Sequence, residues 1–278
     1  MPVITISRQL GSLGTEIARM VAEKLNYDYV DKEKIAQGLA DYGMPGPEVD
    51  KFDEKKPPFW DTLSIQRKRY LHLIQALLYD FGRKGNVVFV GRGGQVLLKD
   101  LPGVLHVRIM APFEIRVQRM MKQGGGDEKQ AAGELRRSDR DSAGFIRAFF
   151  DVDWEDQDLY DLIINTWKLS AEAGARIILG SLPVLEIKEG ELKAEEKLAD
   201  LALIQKVEAS LLGILGADFG DIHVKAEKGV IALEGTVASD KLKEDCKIAA
   251  TRTRGVKRVD NQLSLTSYQK YGYRRFAE

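Results

Sequence analysis

The chain contains a single cysteine, Cys246, among 278 residues, so no disulfide can form within it. The residue reads as a small buried side chain on a helix, and this scarcity of cysteine fits a reducing compartment. No apolar run approaches the ~20 residues that span a bilayer. The opening MPVITISRQLGSLG lacks the basic and apolar regions of an export signal, so the expected location is cytoplasmic. Neither sign of charge is in excess, because Lys+Arg and Asp+Glu both number 42. That balance argues against a nucleic-acid partner, which calls for a basic surplus. His72, His106 and His223 stand apart in the chain, without partners at metal-ligand spacing.

Hydrophobic residues make up 44% and charged residues 30%, the composition of an ordinary folded protein. The length suits one large domain and a small one, each with its own core. Val3 to Ile6 is a short β-branched run and reads as a buried strand. A loop from Ser7 to Gly14 follows, then a helix from Thr15 to Leu25 with Ile17, Ala18, Val21, Ala22 and Leu25 on one face. Tyr27 to Val30, Asn86 to Val90, Leu105 to Met110 and Leu162 to Ile164 read as further strands, with helices between them. Among those helices are one over 62–81, one opened by Pro112 and one from Glu134 to Phe150; residues 44–60 read as an irregular connection. Strands alternating with helices imply an α/β fold, a parallel sheet covered on both faces.

The first loop joins a buried strand to a helix N-terminus, which is a natural anion site. Gly11 and Gly14 let the backbone approach phosphates closely. The hydroxyls of Ser7, Ser12 and Thr15 are candidate contacts, and Ser12 or Thr15 is a candidate Mg²⁺ ligand. The standard phosphate-loop pattern is GxxxxGK[ST]. Here Arg8 stands at the first Gly and Gly14 at the Lys. Arg8 is then the candidate for the missing charge, as a guanidinium clamp.

The segment ITISRQLGSLGTEIA resembles the opening of the cytidylate kinase-like family, a branch of the P-loop kinases. VVFVGRGG, LHVRIMAPFEIRVQRMM, ELRRSDRDSAGFIR and DLYDLIINT are similar to later segments of that family and occur in its order, over about residues 1–185. The resemblance implies a P-loop NTPase-type sheet and ATP-dependent transfer to a nucleoside monophosphate, CMP or dCMP, with Mg²⁺. It implies Arg137, Arg140 and Asp141 as lid residues in the catalytic machinery. By the same resemblance Arg116 and Arg119 face the donor nucleotide, and Arg92 and Arg147 the acceptor. Arg136, Arg140 and Arg147 share a helical face by spacing. Asp31 reads either as an acceptor contact or base, or as the N-cap of the helix after it. Val90 and Met110 stand where relatives carry acidic residues. The alternative reading is an inactive nucleotide-binding regulator.

Residues 188–197, KEGELKAEEK, read as a charged linker between a domain at 1–187 and a second one at 198–265. The second has an apolar helix, HVKAEKGVIALEGTVAS, another helix and GVKRVDNQLSL, and resembles a BON domain with αββαβ order. That resemblance implies an interaction or regulatory role toward a protein, lipid or small ligand. Self-association is left open, and residues 266–278 read as a tail. Trp154 and Tyr160 read as packing anchors.

Overall fold

The computed structural model of the protein describes residues 3–44, 65–101, 103–124, 127–184 and 191–266. The connection expected from 45 to 60, the helix start at 62–64, residues 188–190 and the tail from 267 lie outside these. Strand β1 (Val3–Arg8) is central and pairs in parallel with β3 (Val87–Val90) and β4 (Val104–Met110). Strands β2 (Asp28–Val30) and β5 (Leu162–Asn165) complete a five-stranded sheet in the order β2-β3-β1-β4-β5. All its pairings are parallel, as expected for strands separated by helices.

Alternation along the strands feeds two cores. Ile4, Ile6, Val88 and Val90 meet α1 (Gly14–Leu25) and α7 (Ala171–Ser181) on one face. Val3, Val87 and Phe89 meet α2 (Lys32–Asp41) and α3 (Ile65–Lys84) on the other. Between β3 and β4 lies the short α4 (Gly94–Leu97). After β4 come α5 (Phe113–Gly124) and α6 (Glu128–Phe150). Asp127 caps α6 by accepting from the Gln130 N–H at 2.7 Å.

The C-terminal unit is α8 (Glu191–Leu215), β6 (Ile222–Glu227), β7 (Val230–Val237), α9 (Asp240–Arg252), β8 (Arg258–Asn261) and β9 (Ser264–Leu265). β6 and β7 form an antiparallel hairpin, while β8 and β9 each pair with β7 in parallel. The last strand of the expected αββαβ order is thus divided in two, and Leu263 between the halves is buried in the core. Gly235 has φ +119°, and a Cβ there would lie 1.9 Å from the Asp221 carbonyl oxygen, so the bend of β7 requires glycine.

Residues 191–197 of the charged stretch form the first two turns of α8, with Glu195, Glu196 and Lys197 exposed. Past them the helix is apolar on two sides. Leu203, Val207, Leu211 and Leu215 pack on the small sheet. Leu198, Ala202 and Ala209 join the core around α3. Polar contacts continue that junction. Lys206 Nζ lies 2.6 Å from Asp80, and His72 Nδ1 lies 2.7 Å from Gln205 Oε1 and 3.1 Å from Glu208. Tyr42 donates to the same Asp80 carboxylate. One helix therefore closes two cores.

Leu198→Ala removes a buried side chain from the α3 core and is expected to cost about 2–5 kcal/mol. Because α8 belongs to both cores, calorimetry should show one transition moving to lower temperature. Two separate transitions, with only the smaller one moved, would contradict the shared core.

Candidate functional site

The carboxyl ends of the parallel strands meet at one edge of the sheet, where α/β folds bind ligands. A cleft of about 900 Å³ opens there. Its floor is the loop after β1 and the first turn of α1. Its roof is one face of α6, through Gln130, Gly133, Glu134, Arg137, Ser138, Asp141 and Ser142. The cations Arg8, Arg19, Lys32, Arg92, Arg119, Lys129 and Arg137 outnumber the carboxylates Glu16, Asp31, Glu33, Glu134 and Asp141. Such a lining suits a polyanion.

The helix-opening residue is Leu13, in left-handed conformation with φ 66° and ψ 12°, and its side chain makes no cap. The first N–H groups of α1 are therefore open to a ligand. Ser12 is fully buried, and its hydroxyl donates to the Gln9 carbonyl at 2.7 Å. It shapes the loop rather than facing the cleft, whereas Thr15 lines the cleft. Gly14 lies directly over Arg8, since a Cβ on Gly14 would fall 2.4 Å from Arg8 Cβ and 2.8 Å from its Cγ. A side chain at 14 and the stem of Arg8 compete for one space.

Arg116 and Arg119 sit one turn apart on α5 and hold the loop from outside. Arg116 is 4% exposed. It donates to the Ala111 and Leu10 carbonyls at 3.2 and 3.4 Å, and both its Nη atoms reach the Asp139 carboxylate at 3.0 and 2.9 Å. This bidentate pair fastens α6 to α5. Arg119 donates to the Gly11 carbonyl at 3.3 Å and to Thr166 at both Oγ1 and the carbonyl, 3.0 and 2.7 Å. Arg119 also borders the cleft; Arg116 does not line it.

The far end of the cleft holds Tyr29, Asp31 and Arg92. Burial, then the nearby Asp31 charge, pushes the Tyr29 hydroxyl above its ordinary value, against the opposing pull of Arg19 and Arg8. It therefore stays protonated and can donate. Asp31 does cap α2, accepting from the Lys34 N–H at 3.1 Å, and it also borders the cleft. Arg92 is buried with φ 56° and lies over the Phe145 ring at 5.7 Å. Beneath β1, Ser7 Oγ accepts from Trp154 Nε1 at 2.8 Å and from the Tyr160 hydroxyl at 3.4 Å. Arg108 lies over both rings, at 4.5 and 5.4 Å, and donates to the Trp154 carbonyl. Ser7 is thus part of a buried support.

The structure brings Arg8, Gly11, Gly14, Thr15, Asp31, Arg92, Arg119, Arg137 and Asp141 to one cleft. Arg140 and Arg147 are exposed on α6 and outside the cleft lining. The lining follows the 130, 134, 137, 141 face instead. Sequence reasoning missed Arg19, although its place four residues after Thr15 puts it on the same helix face. Lys32, Lys129 and Thr166 carried no such signal.

Residues 3–168 match the model of the cytidylate kinase-like family, and residues 199–267 match the BON domain. The cytidylate kinase of Archaeoglobus fulgidus is 31% identical over 186 residues, covering 66% of this chain and 97% of the relative. That of Methanocaldococcus jannaschii is 28% identical over 187 residues, covering 66% of this chain and 99% of the relative. Nearly whole kinases therefore align with the N-terminal part. A solved structure of an uncharacterized protein from Eubacterium ventriosum is 19% identical. It covers 66% of this chain and 99% of its own with a TM-score of 0.53, which shows a shared fold.

The Arg116–Asp139 pair is a buried support, whereas Arg140 lies on the surface. Asp139→Ala strands a buried guanidinium and is expected to cost about 3–5 kcal/mol. Arg140→Ala should stay within about 0.5 kcal/mol of the wild type. Chemical denaturation measures both; equal losses would contradict these placements.

Proposed function

We propose that this chain, which belongs to the cytidylate kinase-like family and carries a BON domain behind its kinase domain, transfers the terminal phosphoryl group of ATP to a nucleoside monophosphate, CMP or dCMP. The observation that carries this reading is one cleft with two ends and an arginine between them. At one end the open N-terminus of α1 offers N–H donors to the donor phosphates. At the other, Tyr29, Asp31 and Arg92 offer hydrogen bonds and charge to the acceptor. Arg8 ends β1 between the two, in the space that a lysine at 14 would need. Its guanidinium supplies the charge that such a lysine would bring.

Phosphoryl transfer depends on positioning and charge neutralisation more than on covalent chemistry. The bond from the terminal phosphorus to the ADP oxygen breaks while a bond to an acceptor phosphate oxygen forms. Arg8 from below and Arg137 from the roof stabilise the charge spread over the transferring group. Asp141 and Asp31 orient the arginines and the acceptor. Mg²⁺ takes hard oxygen ligands and keeps several waters. The Thr15 hydroxyl in the cleft fits that preference, together with donor phosphate oxygens, whereas Ser12 is buried away from it. When bound, the ion supplies further charge neutralisation.

We place the chain in the cytoplasm. Its one cysteine is unpaired and buried, and no helix among the described residues is long and apolar enough to cross a membrane. The BON domain is assigned an interaction or regulatory role toward a protein, lipid or small-ligand partner. Its first helix is built into the kinase core, so such a partner acts on the acceptor side of the cleft.

A coupled assay across the nucleoside and deoxynucleoside monophosphates, with ATP and Mg²⁺, tests the reading. CMP or dCMP should give the highest rate of ADP formation. ATP binding without turnover on any acceptor would favour an inactive nucleotide-binding regulator. Arg8→Ala should weaken ATP binding by about 1.5–3 kcal/mol, the worth of a charged hydrogen bond. Arg137→Ala should reduce turnover far more than Arg140→Ala; the reverse order would move the roof of the site.

A further inference from the structure

Thr166 follows β5 and is fully buried, with 0% of its surface exposed. It nevertheless gathers a dense set of bonds behind the phosphate loop. Its hydroxyl donates to the Ser12 carbonyl at 2.8 Å and accepts from Arg119 Nη1 at 3.0 Å. Its own carbonyl accepts from Arg119 Nη2 at 2.7 Å, and its N–H donates to the Met110 carbonyl at 2.9 Å. The side chain is thus locked between β4, α5 and the loop.

The peptide joining Ser12 to Leu13 is planar and trans, so its N–H lies opposite its carbonyl. With the Ser12 oxygen held at the rear by Thr166, the Leu13 N–H is turned to the other side, where Leu13 lines the cleft. Leu13 also has φ 66°. A branched, bulky residue in that region is strained, and such strain persists only where surrounding contacts impose it. The Thr166 bond is such a contact, placed on the peptide that enters the strained residue.

We propose that Thr166, steadied by Arg119, is the positioning residue that holds the Ser12–Leu13 peptide with its N–H toward the donor phosphates. This rests on the phosphate-binding reading of the cleft. Thr166 touches no ligand itself. Its hydroxyl fixes the loop beforehand, so that phosphate binding does not have to order it.

The test uses the full chain with ATP and with inorganic tripolyphosphate, followed by titration calorimetry. Thr166→Val keeps the side-chain shape and removes the hydroxyl, and should weaken tripolyphosphate binding about tenfold. Thr166→Ser should bind as the wild type does. Adding Leu13→Gly to Thr166→Val should recover most of the loss, because glycine adopts positive φ without strain. A merely structural role for Thr166 would not produce that rescue. In the wild type, tripolyphosphate should slow hydrogen exchange at the Leu13 amide, a measurement that needs no variant to fold. Unweakened binding by Thr166→Val, no rescue by Leu13→Gly, or an unprotected Leu13 amide would each overturn the proposal. Phosphate binding without transfer to any acceptor would sink the kinase reading and leave this one standing. A wild type that binds neither ligand would overturn both.

Discussion

The phosphate loop keeps its shape because its carbonyls are held from outside. Loop backbone cannot offer N–H groups to an anion unless the opposite carbonyls find other donors. Here Arg116 takes the Leu10 carbonyl, Arg119 the Gly11 carbonyl and Thr166 the Ser12 carbonyl. The same groups reach further. Arg116 fastens the roof helix through Asp139, and Arg119 fastens the end of β5 through Thr166. Floor, roof and sheet edge are thereby fixed relative to one another. Arginine suits this work because its planar fork presents several donors at once and stays charged when buried.

A second constraint joins the two halves of the chain. Helix α8 has an apolar face for each core, so the BON domain is packed on α3 rather than hung from a tether. α3 in turn packs on α2 and β3, the elements that carry Asp31 and lead to Arg92. Two helices, α8 and α3, thus lie between the small sheet and the elements that bring Asp31 and Arg92 to the cleft. Asp80 marks the junction, taking Lys206 from α8 and Tyr42 from the end of α2.

Much of the fold was legible. The β-branched run at Val3 to Ile6, the glycine loop and the period of Ile17, Ala18, Val21 and Ala22 each pointed to strand, loop and helix, and the alternation gave the parallel sheet. Trp154 and Tyr160 are buried anchors, as their setting suggested. The linker region reads differently in three dimensions. Glu195, Glu196 and Lys197 are exposed turns of a helix, and a helix apolar on two sides shows no one-sided period to betray its start. The site was legible only in outline. Spacing placed Arg136, Arg140 and Arg147 on one helical face, but which face meets the cleft depends on how α6 lies against α5. Arg116 carried a nucleotide-facing expectation from resemblance, and the structure places it under the loop. Thr166 acts on Ser12 across 154 positions of chain, a relation that no local pattern records.

The proposed phosphoryl transfer requires one cleft to hold donor and acceptor together, with Arg8 between them. A bisubstrate analogue with adenosine and cytidine joined through a chain of phosphates tests this directly. Binding measured by calorimetry, with hydrogen exchange read in the same complex, should be far tighter than for ATP alone, because the second contact is intramolecular. Protection should cover the loop from Gly11 to Thr15, the first turn of α2 at Asp31 and the roof helix at Arg137 together. Affinity no greater than that of ATP, with protection confined to the loop, would contradict it.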